Sequence, residues 1–170
     1  PNIVAPDINI DIDITEAPDV PVIRFPDAIT IKLPEITSDD VQVQETDDQT
    51  IYRITGTVQI DIDRADLRPE ALDVLEEIRA AIEDRGESGT IEIAGHTDAV
   101  GTAEYNYDLS VRRATGVALW FRERVPAGQD IQAIGHGETQ PIAPNAKDDG
   151  SDDPTGRAQN RRVEVIVEKK

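Results

Sequence analysis

Asp98 is the only acid between Gly95 and Ala103, and two arginines, Arg112 and Arg113, follow it in the stretch "GHTDAVGTAEYNYDLSVRRATGVALW" (95–120). Ser110 opens an amphipathic run within a helix expected from about Ala103 to Arg124, as its cap or as a re-cap, which puts both arginines in the first turn of that run. A helix start already carries partial positive charge, so guanidinium groups there deepen a site for an anion. Two readings of Asp98 and Arg113 stand side by side. They form an ordinary salt bridge, or they share a zwitterionic ligand, its ammonium facing Asp98 and its carboxylate facing Arg113 and the helix-start amides.

Other reactive types carry less. His96 and His136 are the only histidines, and they lack a ligand spacing such as i, i+4 on a helix, so hydrogen-bonding or structural roles are expected and no metal site. "DDGSDD" (148–153) lacks the alternate-residue ligands and distal Glu of a calcium loop and reads as a solvated acidic loop. Ser110 has no histidine near it in sequence, and no catalytic set or cofactor motif emerges, so the chain is not expected to be an enzyme. Glu138 and Arg162 read as framework partners, and Trp120 as packing.

The elements that must position these residues follow from periodicity. "IYRITGTVQIDID" (51–63) alternates as one or two strands. A helix opens at Pro69, places Leu72, Leu75, Ile78 and Ile82 on one face, and ends at Gly86. "TIEIAG" (90–95) is a strand, and the helix from Ala103 follows, with Leu109, Ala114, Val117 and Phe121 along its stripe. "IQAIGHG" (131–137) is a third strand, and "RRVEVIVE" (161–168) a last one after a long polar loop. This βαβαβ-β order predicts an α/β sandwich, a mixed sheet with helices packed on one face. Asp98 and Arg113 then meet at the C-terminal edge of the sheet, where open α/β sheets bind ligands.

Residues 1–50 differ from the rest. Twelve acids against two bases give them a net charge of −10 out of the chain's −18, and six of the eleven prolines fall there. Pro-acid pairs recur at Pro6-Asp7, Pro18-Asp19, Pro26-Asp27 and Pro34-Glu35, some followed by alternating runs such as "INIDIDI" (8–14) and "AITIKL" (28–33). We therefore expect an acidic, β-prone segment over 1–50 and a domain over 51–170. The strongly negative charge argues against a nucleic-acid partner and against attachment to an anionic membrane surface. No run approaches the ~20 apolar residues of a membrane span. Residue 1 is Pro rather than Met, so any anchor, helix or barrel upstream would lie before this sequence.

"GHTDAVG", Asn106, "LSVRRA" (109–114), "GHGE" (135–138), Pro141, Asn145 and "GRAQNRRVEV" (156–165) occur in an order and spacing that resemble the OmpA-like peptidoglycan-binding domain. That family includes C-terminal domains of outer-membrane porins, peptidoglycan-associated lipoproteins and flagellar stator proteins, and the resemblance covers roughly residues 52–168. It implies noncovalent binding of the peptidoglycan stem peptide through diaminopimelate, in the cell envelope outside the cytoplasm. By the same resemblance, Asp98 and Arg113 grip the free end of diaminopimelate, with Thr97, Asn106, Leu109 and Arg161 as neighbouring contacts. Two departures stand out: Ile60 and Ile62 replace frequent phenylalanines of the first strand, and the loop 147–156 is unusually acidic beside the site. The alternative reading is a calcium-dependent adhesive or structural module of the envelope, its ligands drawn from the N-terminal acids and the 148–153 loop.

Overall fold

A computed structural model describes residues 12–13, 22–23, 41–55 and 69–169. The chain divides into two units, Pro1–Lys32 and Leu33–Lys170. In the first, β1 (Ile12–Asp13) and β2 (Val22–Ile23) pair antiparallel, Ile12 opposite Ile23. The Pro-acid pairs, the run 28–33, and Ile60 and Ile62 lie outside the described residues.

The second unit contains β3 (Val41–Glu45), β4 (Gln49–Thr55), α1 (Pro69–Asp84), β5 (Ile91–His96), α2 (Ala103–Arg122), β6 (Ile131–Gly137), α3 (Pro154–Asn160) and β7 (Arg162–Glu168). The sheet order is β3-β4-β7-β5-β6. Among the described strands only β5 and β6 run parallel to a direct neighbour, joined by the α2 crossover. The last strand, β7, inserts between β4 and β5 and pairs antiparallel with both. The mixed α/β sheet is thus as expected, and the route of its last strand explains why it is mixed.

One core forms between the sheet and the two long helices. Val163, Val165 and Val167 of β7 alternate toward it with Tyr52 and Ile54 of β4, Ile91 and Ile93 of β5 and Ile131 of β6. Helix α1 contributes Ala71, Val74, Leu75, Ile78, Ala81 and Ile82. Leu72, read as part of this face, is instead 37% exposed, because the buried stripe follows i, i+3, i+4 from Ala71 and leaves position 72 outside it. Gly86, at φ 64°, ends the helix as expected: its N–H donates to the Glu83 carbonyl at 3.0 Å, and Glu87 N–H reaches the Ile82 carbonyl at 3.1 Å. The freed Glu87 carboxylate then accepts from Thr50 Oγ1 at 2.6 Å and Tyr52 Oη at 3.2 Å, fastening β4 to that turn.

Helix α2 begins at Ala103, and its N-cap is Thr102, whose hydroxyl accepts from Tyr105 N–H at 3.2 Å. Ser110 lies inside this helix and caps nothing. Arg112 and Arg113 therefore sit about three turns from the helix start, far from its positive end, and the idea that helix-start amides assist Arg113 falls. Leu109 is half-buried beside the core stripe of Ala114, Val117 and Phe121. Trp120 packs edge-on against Phe121 at 5.1 Å, with the Arg124 guanidinium 4.6 Å over its ring.

The polar loop before β7 holds the short helix α3, which periodicity could not reveal at seven residues. Its start was nevertheless written in Asp153-Pro154: the Asp153 carboxylate accepts from Thr155 and Gly156 N–H at 3.1 and 3.0 Å, and Pro154 occupies the first turn.

The sheet also begins earlier than residue 51. All five residues of β3 pair with β4, from Val41 opposite Ile54 to Glu45 opposite Thr50, so a boundary at 50 falls within a hairpin. Glu45 is held further by Lys169 Nζ at 2.6 Å and Arg85 at 3.3 Å. Deletion through residue 32 is expected to leave a cooperatively melting domain. Deletion through residue 50 removes β3 and the first two residues of β4, Thr50 with its bond to Glu87 among them, and should lower the melting temperature by roughly 5 °C or more; equal melting of both truncations in calorimetry would show that this hairpin adds nothing.

Candidate functional site

Strand β5 ends at His96, and the turn after it carries Thr97 and Asp98. The parallel ladder continues one bond beyond the strand, Thr97 N–H donating to the Gly137 carbonyl at 2.9 Å, so the turn's position is set by β6 as well as β5. Asp98 Oδ1 accepts from Val100 N–H at 3.1 Å, which folds the turn back on itself. Its other oxygen, Oδ2, accepts from Arg161 Nη1 at 2.7 Å, and Arg157 Nε stands 3.7 Å from the same atom. Only 8% of Asp98 is exposed. Arg157 and Arg161, on either side of the end of α3, are thus charge partners of Asp98.

Arg113 reaches the same turn from α2, its Nη1 donating to the His96 carbonyl at 3.5 Å. The topology expected from sequence brings Asp98 and Arg113 to one mouth, and Arg161 and Arg157 grip the Asp98 carboxylate there. Arg161 was named in the sequence; Arg157 was missed. The spacing held a signal, since 157 and 161 are four apart and share one side of a helical turn.

The remaining expected residues divide by what they touch. Thr97 is buried, and its hydroxyl makes no hydrogen bond among the described residues. Asn106 is also buried, its amide donating to Glu138 at 2.5 Å, which makes Glu138 the framework partner anticipated. Leu109 lies half-buried one turn before Arg113. The mouth's outer wall hangs on Asn160, which binds the loop after β6: its Oδ1 accepts from Ile142 and Ala143 N–H at 2.9 and 3.0 Å, and its Nδ2 donates to the Ala143 carbonyl and Asn145 Oδ1. Asn145 Oδ1 accepts in turn from Ala99 N–H at 3.2 Å, tying this wall to the Asp98 turn.

The acidic loop is not simply solvated. Asp149 accepts from Ser151 N–H at 2.9 Å, Asp153 caps α3, and Asp152 forms an ion pair with Arg157. No group of three or more His, Cys, Asp or Glu side chains that could hold a metal ion occurs among the described residues.

Behind the mouth lies a second cluster. His96 is buried and stacks on His136 with ring centroids 5.1 Å apart. Glu164 stands opposite Arg53 on the neighbouring strand and accepts from it at 2.9 Å and from Arg162 Nε at 2.8 Å. Arg162 also reaches the Gln140 carbonyl at 3.2 Å, the framework role expected for it. Burial alone would raise the Glu164 carboxyl, but the hydrogen bonds from Arg162 and Arg53 outweigh it and hold it below the usual carboxylate range. Burial, joined by the charge on Arg162, pushes the His96 imidazole down to about 4.

Residues 61–153 match the OmpA family, and the chain belongs to it. Over 110 residues, 65% of this chain, it is 42% identical to 12% of a photosystem I P700 chlorophyll a apoprotein A2 of Gloeobacter violaceus. It is 35% identical to an outer membrane porin F of Pseudomonas fluorescens, over 69% of this chain and 34% of that protein. The same identity relates 66% of it to 32% of the peptidoglycan-binding protein ArfA of Mycobacterium tuberculosis. The chain thus spans between about an eighth and a third of these relatives. Among solved structures, the cell wall anchor of the type VI secretion system from Pseudomonas aeruginosa superposes with a TM-score of 0.64 at 28% identity, over 82% of this chain and all of that one.

The buried imidazole sets a pH dependence. With a folded value of about 4 against ~6.5 unfolded, only the unfolded chain gains a proton between those limits, so stability falls as pH drops from 6.5 to 4 and is level in this respect below. The loss should reach about 2–4 kcal/mol by pH 4. Glu164, depressed when folded, adds its own loss only below the ordinary carboxylate range. His96→Phe keeps a ring for stacking and removes the titration. Its urea-denaturation free energy should vary less between pH 6.5 and 4.5 than that of the wild type.

Proposed function

We propose that this domain binds peptidoglycan noncovalently, through the zwitterionic free end of diaminopimelate in the stem peptide, and so tethers its protein to the cell wall. The domain works in the cell envelope, outside the cytoplasm. Asp98 faces the ammonium and Arg113 the carboxylate, with Thr97, Asn106, Leu109 and Arg161 around them. The observation that carries this reading is the convergence of Arg113, Arg157 and Arg161 on the turn that holds Asp98, in a chain of net charge −18. Guanidinium groups gathered on one edge of so acidic a molecule make a local site for an anion. A carboxylate has about four lone-pair sites, so Asp98, which accepts from Val100 and Arg161, keeps capacity for an ammonium. The peptidoglycan-binding and cell-wall-anchoring relatives support the same ligand class. The role is binding without turnover: purified sacculi should be retained and left intact.

Each charge-assisted contact contributes roughly 1.5–3 kcal/mol. Arg113→Ala or Asp98→Asn should therefore weaken binding of a diaminopimelate stem peptide about ten- to a hundredfold in calorimetric titration. A stem with lysine in that position keeps the ammonium, lacks the carboxylate and should bind poorly to the wild type. If the wild type binds both stems equally, or Arg113→Ala retains full preference for diaminopimelate, Arg113 does not read that carboxylate. The two variants differ in stability. Asp98 is nearly buried between guanidinium groups, not an exposed partner, so Asp98→Asn should cost about 1–3 kcal/mol and needs a melting curve beside its titration.

A further inference from the structure

Asp98 and Asp152 share Arg157. On one side Arg157 Nε lies 3.7 Å from Asp98 Oδ2; on the other, its Nη1 is ion-paired with Asp152 Oδ1. The two acids differ in how firmly they are held. The Asp98 side chain is 12% exposed and gripped by the turn and Arg161, whereas that of Asp152 is 58% exposed. The backbone of Asp152 is nevertheless fixed in place, by a bridge to Ala146 and the Lys147 N–H to Ser151 carbonyl bond at 2.8 Å. The result is a side chain free to leave Arg157 on a backbone that holds it at the mouth.

Counting formal charges, Asp98, Asp152, Arg157 and Arg161 cancel, which leaves the charge of Arg113 for the carboxylate of the zwitterionic end. Without Asp152 the mouth would carry one further positive charge that a second ligand carboxylate could take. We propose that Asp152 is an internal competitor for Arg157, and that it makes the mouth select against ligands bearing a second carboxylate beside their zwitterionic end. This deepens the peptidoglycan reading and rests on it. For a stem peptide, the second carboxylate is that of the glutamate next to diaminopimelate, which is either free or amidated. The free form must displace Asp152 from Arg157 or lie beside it unpaired; the amidated form carries no charge to compete. The domain's preferred ligand is therefore the stem amidated at glutamate and free at diaminopimelate.

The test uses two synthetic stems, identical except for a free or amidated glutamate carboxyl, titrated by calorimetry into the full chain. Wild type should bind the amidated stem roughly two- to fivefold more tightly, the range of one partly exposed charge pair. Asp152→Asn should erase that preference by strengthening binding of the free-acid stem. Asp148→Asn removes an equal charge from the same loop, where Asp148 forms no ion pair among the described residues, and should keep the preference. Melting curves check that each variant is folded. Equal binding of the two stems by wild type, an unchanged preference in Asp152→Asn, or an equal loss of preference in Asp148→Asn would each overturn the inference while leaving peptidoglycan binding standing. Failure of wild type to bind either stem would overturn the underlying reading and this inference with it.

Discussion

Helix α2 comes close onto the backbone of β5 and β6 at Gly95 and Gly135, and the site's geometry depends on that contact. A Cβ on Gly95 would stand 2.2 Å from the Ser110 carbonyl oxygen, and one on Gly135 would stand 2.5 Å from Val111 and 2.6 Å from Ser110 Oγ. Such distances are closed to any other residue without moving the helix. Ser110 makes the approach favourable as well as allowed: its hydroxyl donates to the Tyr107 carbonyl at 2.7 Å and accepts from Gly137 N–H at 2.9 Å, so the hydroxyl and that N–H satisfy each other at the contact. With the helix fixed at Ser110, the turn before it delivers Asn106 to Glu138, and the turn after delivers Arg113 to the His96 carbonyl.

The two acids that organise this end of the sheet use the same chemistry to different ends. Glu164 sits between Arg53 and Arg162, and Asp98 between Arg157 and Arg161. Arg161 and Arg162 are neighbours in sequence, yet at the start of a strand successive side chains turn to opposite sides. One enters the buried cluster, its side chain 3% exposed, and the other reaches the mouth at 38%. The buried group joins β4 to β7 and leaves no room for a ligand. The open group has capacity left over, and that difference in exposure separates framework from binding edge.

Much of this was legible in the sequence because it is local. The strand and helix periods, the Pro69 and Gly86 ends of α1, and the glycine-flanked turn with Asp98 follow from backbone preference and from side chains within one turn of each other. The order of strands and helices also implied that Asp98 and Arg113 share the carboxyl edge of the sheet, since a crossover places them there whatever the other loops do. The family blocks were readable for the same reason: each is a short run whose residues serve one turn or one helix face.

The partners of those residues were decided by contacts across long stretches of chain. Ser110 looked like a helix cap because its neighbours suit one; only the sheet beneath it, through Gly95, Gly135 and Gly137, makes it an interior contact. The hairpin joining β3 to β4 crosses a sharp change in composition, and the charge that suggested a boundary says nothing about backbone pairing. Asp98 lies 63 residues from Arg161, and no local pattern states which of the nearby cations it will hold. Sequence determined that Asp98 and Arg113 arrive at one mouth, because topology follows from the order of the elements. Tertiary structure decided which of them pair, because ion pairs depend on distances of a few ångströms between segments that meet only when the sheet has closed.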